Sequence, residues 1–343
     1  MTFQDKLADT GSVHGGPDMW GVPAYDLSTN TNACGPHRPT EQAVREADAR
    51  HYPDPAYTAL TIQLAAWHGV APARIVLGAS GSELIQRLSA AVAFQALPGR
   101  QEASAWWPMH AYGDYARAAR AAVLRRTEHA TQASLIWACD PSSPMGQPHD
   151  GLAEQAAALR DDQTLVLDQA YEPLRLSGAL ALEAEALDRV WRLITPNKAL
   201  GLTGVRAAYL VAPRNEPELL PHMRALAPSW PLGVHGVALL QSWATVDTHQ
   251  WLAQCRTTLR TWKARQLDLL SAAGWRTETG VANFFTAACE DIDMKSSLDA
   301  LRQKGFKLRD CASFGLPGSV RMAVVMPAVQ DMLMQALREE TRA

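Results

Sequence analysis

Short apolar runs alternate with longer helical stretches along most of the chain after residue 39. The runs at 135–139 and 165–167 are apolar at consecutive positions, which is typical of strands buried on both faces of a sheet. The predicted strands cover 74–78, 103–107, 134–139, 164–168, 190–194 and 207–211, and the predicted helices between them cover 82–96, 112–122 and 152–159. This alternation predicts an α/β fold whose mostly parallel sheet lies between helices.

The pattern differs at both ends of the chain. The first forty residues are rich in Gly, Pro, Asn and Thr, which predicts an extended arm. After Trp230 come two helical stretches at 232–244 and 248–273, then strands at 283–289 and 319–325 with a helix at 296–304 between them. We therefore predict three parts: an arm over 1–38 that joins the small domain, a large domain over 39–240, and a small α+β domain over 241–343.

The composition and net charge of the chain argue against several classes of function. The 343 residues are 47% hydrophobic and carry a formal net charge of −3, which gives no reason to expect nucleic acid or an anionic membrane as a partner. The first sixteen residues lack the apolar centre of a secretory signal, and no apolar run approaches the roughly 20 residues that span a bilayer. The five cysteines are scattered without a CxxC pair, so we expect neither disulfides nor a metal site, in a cytoplasmic protein.

The most informative segment runs from Leu193 to Arg206 and contains a lysine after a predicted strand end. Pyridoxal phosphate (PLP) needs an amine to form a Schiff base, and hydroxyl, backbone N–H and arginine donors for its phosphate. Lys198, Thr195 and Arg206 supply these groups within one loop. Taken alone, the segment is better described as a solvated turn with a surface lysine.

Asp168 ends a predicted buried strand, and Tyr171 follows it. Ligands of open α/β sheets bind at the carboxyl ends of the strands. A carboxylate at that edge suits a pyridine nitrogen, because it keeps the nitrogen protonated and the ring an electron sink. The alternative is an aspartate that caps the next turn.

Two further features fit a phosphorylated aromatic cofactor. The turn Gly78–Glu83 opens a helix, and a helix N-terminus offers free N–H groups to a phosphate. The turn lacks the G-x-G-x-x-G spacing of a dinucleotide site, and its alternative is a plain helix cap. Tyr112, within Pro108–Tyr115, is an aromatic side chain able to lie against a flat heterocycle, or else ordinary packing.

Together and in this order, these segments resemble fold-type-I PLP enzymes of the class I/II aminotransferase superfamily, over essentially the whole chain. Within it, the chain is similar to the histidinol-phosphate aminotransferases and to the threonine-phosphate decarboxylases of cobalamin biosynthesis. The resemblance implies an aspartate-aminotransferase fold, PLP as the cofactor, an amino acid as the substrate and a homodimer.

The resemblance also implies residue roles. Lys198 would be the Schiff-base lysine and the acid/base, Asp168 would pair with the pyridinium, and Tyr112 would stack on the ring. The remaining cofactor contacts implied are Tyr171 and Ser143 toward the phenolic oxygen, and Gly81, Ser82, Glu83, Thr195, Asn197 and Arg206 around the phosphate.

The implied substrate contacts lie near both ends of the chain. Arg321 would grip the substrate carboxylate, because a guanidinium binds a carboxylate through two hydrogen bonds. Arg309, His14 and Asn32 are candidates for a substrate phosphate. The chain departs from the family pattern at Ser143, where an asparagine is usual, and at Asn197, where a serine is common; this leaves the tuning of the cofactor open.

The reaction type depends on which Cα bond the enzyme holds perpendicular to the ring, which residue spacing does not reveal. His14-Gly15-Gly16, the stretch 309–318 and the helical run after Trp251 favour a threonine-phosphate-decarboxylase-like lyase. The alternative is an aminotransferase of the histidinol-phosphate type. A catalytically silent protein that keeps the fold is a third hypothesis, prompted by Ser143.

Overall fold

The structure is a computed structural model that describes residues 14–96, 102–216, 218–290 and 292–340. Part of the predicted arm, residues 1–13, and the last three residues of the predicted small domain lie outside the described residues. The expectation that no secretory signal is present concerns residues 1–16, and so falls mostly outside them as well.

The described residues form thirteen strands and eleven α-helices. In chain order the strands are β1 (Tyr25–Asp26), β2 (Ile75–Gly78), β3 (Ser104–Trp106), β4 (Arg125–Arg126), β5 (Leu135–Cys139), β6 (Thr164–Asp168), β7 (Trp191–Ile194), β8 (Ala208–Val211), β9 (Arg276–Thr279), β10 (Phe284–Ala288), β11 (Phe306–Lys307), β12 (Arg309–Asp310) and β13 (Ser319–Ala323). The helices are Arg38–Glu46, Thr58–His68, Gly81–Ala96, Gly113–Ala121, Leu152–Ala157, Ala184–Leu187, Leu219–Ala225, Val234–Trp243, Val246–Ala272, Met294–Gln303 and Pro327–Glu340.

Seven strands form the main sheet in the order β2-β8-β7-β6-β5-β3-β4. The pairs from β7 to β4 are parallel, whereas β8 runs antiparallel to both β2 and β7. The prediction of a mostly parallel sheet is confirmed. The antiparallel direction of β8 was not predicted. All four of its residues are buried, so its hydrophobic pattern is the same as that of the parallel strands beside it.

Side chains on both faces of the main sheet are buried. Within β5, Trp137 belongs to a core cluster with Tyr115 and Leu84, whereas its neighbour Ile136 belongs to a separate cluster with Leu152. Successive strand residues point to opposite faces, so helices cover the sheet on both sides. This explains why the strands are consecutive apolar runs rather than alternating ones.

A second sheet of four antiparallel strands has the order β12-β13-β10-β9, and in its register Arg309 lies opposite Arg321. The short strand β1, from the predicted arm, pairs in parallel with β11 through Tyr25 and Phe306. The division of the chain at residues 38 and 240 stays a prediction.

Several elements were missed by the sequence analysis. They are the helices Arg38–Glu46, Thr58–His68, Leu219–Ala225 and Pro327–Glu340 and the strand β9. The helix Arg38–Glu46 begins inside the stretch predicted to be extended, with a proline in its first turn, where proline is compatible with a helix. Among the described residues, no helix is long and apolar enough to cross a membrane.

Candidate active site

The chemistry-bearing segments meet at one edge of the main sheet. Strands β2, β7, β6 and β5 point the same way, since β2 and β7 both run opposite to β8. Asp168 ends β6, Thr195 directly follows β7, and Ser143 lies in the loop after β5. This edge is the carboxyl edge, where open α/β sheets bind their ligands.

A cavity of about 1010 Å³ opens at this edge. It is closed on one side by the segment 14–29 and on another by residues of β12 and β13. Thirteen of the fifteen predicted site residues line it: His14, Gly81, Ser82, Tyr112, Ser143, Asp168, Tyr171, Thr195, Asn197, Lys198, Arg206, Arg309 and Arg321.

Lys198 lies on a loop that is held by hydrogen bonds to its backbone. Asn32 donates its N–H to the carbonyl of Lys198 at 3.0 Å and its side-chain amide to the carbonyl of Ala199 at 3.0 Å. Gly201 adopts φ +71°, and a Cβ there would lie 2.9 Å from the carbonyl oxygen of Gly35, so only glycine fits. The half-buried Lys198 side chain lies with Nζ 5.4 Å from the centre of the Tyr171 ring.

Asp168 is 5% exposed, and each of its carboxylate oxygens accepts a hydrogen bond. The Tyr115 hydroxyl donates to Oδ2 at 2.7 Å, and the N–H of Ala170 donates to Oδ1 at 2.9 Å. Burial raises the pKa of Asp168, and the bonds from Tyr115 and Ala170 oppose that rise. A carboxylate oxygen accepts two bonds, so both oxygens keep a lone pair for a further donor.

A second cluster, which we call the cradle, consists of Gly81, Ser82, Thr195 and Arg206. Gly81 begins the helix Gly81–Ala96, whose first N–H groups have no partner within the helix. A Cβ at Gly81 would lie 2.8 Å from Cγ2 of Thr195, so the close approach requires glycine. The Thr195 hydroxyl is buried and has no hydrogen-bond partner in the described structure.

Arg309 and Arg321, on the second sheet, line the same cavity. Arg321 donates to the Ser143 hydroxyl at 2.9 Å and to the carbonyl of Ser28 at 2.7 Å, and its buried Nε has no partner among the described residues. Arg309 donates to the Ser313 hydroxyl at 2.7 Å. Burial lowers the pKa of Arg309, and the neighbouring charge of Arg321 lowers it further.

Two predicted site residues do not line the cavity. The Glu83 carboxylate turns back to the guanidinium of Arg87 and to the N–H of Ala79. Asn32 lies under the lysine loop, where it holds the backbone of Lys198.

His14 is exposed, with its ring 6.2 Å from that of Tyr112.

Two side chains that hold predicted site residues in place were not identified from the sequence. Tyr115 binds Asp168 and stacks on Trp137 at 4.8 Å between ring centres. Asn30 donates to the Tyr171 hydroxyl at 3.4 Å. Tyr115 follows Tyr112 by three residues, so it was within the segment already singled out. No feature of the sequence connects Asn30 with Tyr171, which lies 141 residues away.

A buried aspartate, a lysine and the cradle therefore share one cavity. The family model for aminotransferase class I and II matches residues 23–337. The chain belongs to this family. Its members are PLP-dependent, and this class I/II aminotransferase is a PLP-dependent enzyme.

Known relatives of this aminotransferase-family chain include a histidinol-phosphate aminotransferase of Ruegeria pomeroyi, 29% identical over 344 residues that cover 92% of this chain and 91% of the relative. Two solved structures share the fold. L-threonine-O-3-phosphate decarboxylase from Porphyromonas gingivalis has a TM-score of 0.75 at 19% identity, covering 92% of this chain and 99% of that one. Histidinol-phosphate aminotransferase from Sinorhizobium meliloti, in complex with pyridoxal-5'-phosphate, has a TM-score of 0.75 at 21% identity, covering 93% and 91%.

The residues present fit the cofactor of the class I/II family. The orphaned Thr195 hydroxyl and the helix N-terminus at Gly81 are donors that suit a phosphate. The buried Asp168 carboxylate retains acceptor capacity for a protonated ring nitrogen. The cavity is large enough for a cofactor together with a small substrate.

Proposed function

We propose that this enzyme transfers an amino group between a phosphorylated amine or amino acid and a 2-keto acid, as an aminotransferase of the histidinol-phosphate type. The observation that carries the proposal is the pair Arg309 and Arg321, adjacent in strand register, in the same cavity as Lys198 and the cradle. The histidinol-phosphate aminotransferase of Ruegeria pomeroyi, similar over 92% of the chain, supports this reaction over the decarboxylation favoured by the sequence motifs.

In this proposal each side chain of the site has a separate role in the reaction. Bound PLP supplies an electron sink that accepts the electron pair of a broken Cα bond. Asp168, held by Tyr115, keeps the ring nitrogen protonated, and the cradle binds the phosphate. Arg321 orients the substrate carboxylate. Lys198 holds the cofactor and, once released as a free amine, moves the proton at Cα.

Decarboxylation of a phosphorylated amino acid is the second candidate. Both cavity arginines suit a substrate with a carboxylate and a phosphate, and the fold also matches the Porphyromonas gingivalis decarboxylase. A decarboxylase releases CO₂ without any keto acid.

One assay separates the candidates. Purified enzyme with PLP is given L-histidinol phosphate and 2-oxoglutarate, and glutamate is measured; a parallel sample receives O-phospho-L-threonine alone, and CO₂ is measured. Glutamate without CO₂ supports the aminotransferase. CO₂ from phosphothreonine without glutamate overturns it in favour of the decarboxylase, and neither product together with no cofactor absorbance supports the silent protein.

We also propose that the enzyme is a cytoplasmic homodimer. Tyr52 is 79% exposed and stacks on Trp230, itself 42% exposed, with 4.5 Å between ring centres. Burial of these two rings against a second copy would remove exposed apolar surface from water. Light scattering after gel filtration is expected to give twice the monomer mass, and a monomer mass at micromolar concentration contradicts the proposal.

Replacing Arg321 with glutamine is expected to raise KM for the carboxylate substrate by on the order of 10²-fold, since losing one partner of a buried charge pair costs about 2–5 kcal/mol. Steady-state kinetics with glutamate measure the change. R276Q, at an exposed position of β9, is the matched control and should leave KM unchanged. An unaltered KM in R321Q removes Arg321 from substrate binding.

Replacing Ser143 with alanine tests whether this residue acts on Arg321. The Ser143 hydroxyl accepts a bond from the Arg321 guanidinium at 2.9 Å, and a bond to a charged group contributes about 1.5 kcal/mol. We expect KM for the carboxylate substrate to rise by about tenfold, with the cofactor absorbance unchanged. A shift of the absorbance band with an unchanged KM would instead place Ser143 on the cofactor.

A further inference from the structure

Asp114 is a buried carboxylate on the cavity wall that the proposed reaction does not use. It lies in the first turn of the helix Gly113–Ala121 and is 1% exposed. Its Oδ2 accepts a hydrogen bond from the Ser82 hydroxyl. Its Oδ1 is buried and has no hydrogen-bond partner in the described part of the chain. A buried polar atom without a partner is costly, which points to a missing donor.

Ser82 connects this carboxylate to the cradle. It is the second residue of the helix Gly81–Ala96, and both Ser82 and Asp114 line the cavity together with Thr195 and Arg206. A phosphate held in the cradle would therefore lie against a hydroxyl whose other neighbour is a carboxylate.

The number of protons in this arrangement does not match the number of acceptors. The Ser82 hydroxyl has one proton, whereas a carboxylate and a dianionic phosphate are both acceptors only. If Ser82 donates to Asp114, it presents lone pairs to the phosphate. If it turns to the phosphate, the buried carboxylate loses the Ser82 donor. Either arrangement leaves a buried carboxylate beside a dianionic phosphate, and a proton bound between them would remove that repulsion.

We propose that binding of the cofactor phosphate takes up one proton from solvent, which is held among Asp114, Ser82 and the phosphate. Asp114 is thus a positioning residue that links cofactor affinity to pH. No covalent bond is formed or broken in this step. The proposal rests on the assignment of the phosphate to the cradle.

Other charged or titratable groups surround the same wall. Burial raises the pKa of Tyr112, and the nearby Asp114 carboxylate raises it further. Glu83 is ion-paired with Arg87. Also lining the cavity are His14 next to Tyr112, Arg117 and Arg120 on the helix of Asp114, Asp168 on β6, and Lys198 and Arg206 on the lysine loop. Each of them is unchanged in a variant of Asp114 alone, so a difference from wild type isolates Asp114.

Calorimetry of pyridoxine 5'-phosphate binding to the cofactor-free enzyme tests the proposal. This probe carries the phosphate but lacks the aldehyde that condenses with Lys198. At pH 8 its phosphate is dianionic, because the second pKa of a phosphate monoester is about 6. The dependence of the binding enthalpy on the ionisation enthalpy of the buffer gives the protons taken up. We expect wild type to take up about one proton more than D114N, whose amide supplies its own donor. Any proton taken up by the pyridine nitrogen of the probe beside Asp168 is common to both proteins.

The control is D268N, an exposed carboxylate on the helix Val246–Ala272, which should keep the wild-type proton uptake. If D114N does not fold, D114S serves in its place, since serine is neutral and carries a donor. Binding by wild type without proton uptake, or equal uptake by wild type and D114N, overturns the proposal and leaves the cradle intact. Failure of wild type to bind the probe refutes the cradle and this proposal together.

Discussion

The K198A variant is expected to lose activity by at least about 10³-fold, because it removes both the amine that holds the cofactor and the general acid/base at Cα. Lys198 lines the cavity with its amine 5.4 Å from the centre of the Tyr171 ring, and no other lysine lines that cavity in the described residues. Amino-group transfer under saturating PLP measures the loss.

Covalent labelling distinguishes the loss of the cofactor lysine from a general loss of folding or activity. Borohydride reduction of the wild-type holoenzyme should attach the cofactor to the peptide that contains Lys198, as detected by mass spectrometry. K198A should remain unlabelled, and K295A, at an exposed helix position, should be labelled like wild type. Labelling of K198A at a different lysine would overturn the assignment.

Replacing Asp168 with asparagine is expected to lower kcat by about 10²–10³-fold, since losing one partner of a buried charge pair costs about 3–5 kcal/mol. The substitution keeps the size of the side chain. Oδ1 still accepts from Ala170, and the Tyr115 hydroxyl is able to turn and accept from the new amide. We therefore expect the variant to fold, with a melting temperature close to that of wild type.

The Y115F variant tests how Asp168 is held. It removes the hydroxyl that donates to Oδ2 at 2.7 Å but keeps the ring that stacks on Trp137. Its kcat should fall by roughly tenfold, the effect of losing one hydrogen bond to a charged group. If D168N retains wild-type kcat while Y115F does not, Asp168 does not act on the cofactor ring.

The sequence by itself determined the class of fold and the segments that carry the chemistry. A strand buried on both faces needs apolar residues at consecutive positions. The hydrophobic pattern alone therefore predicted the parallel part of the sheet. Asp168 ends such a strand and Lys198 lies in the loop that follows another. The carboxyl ends of parallel strands meet at one edge of the sheet, whatever the conformation of the loops. The β2-to-helix turn at Gly81 was predictable for the same reason.

Only the tertiary structure decided contacts between segments far apart in the chain. The direction of β8 depends on its neighbours, because all four of its residues are buried in either orientation. Asn32, expected at the substrate, supports the backbone of Lys198, and Ser143, expected at the cofactor, binds Arg321. Hydrogen bonds between side chains need atoms within about 3 Å, and neither residue spacing nor hydrophobic pattern specifies positions that closely.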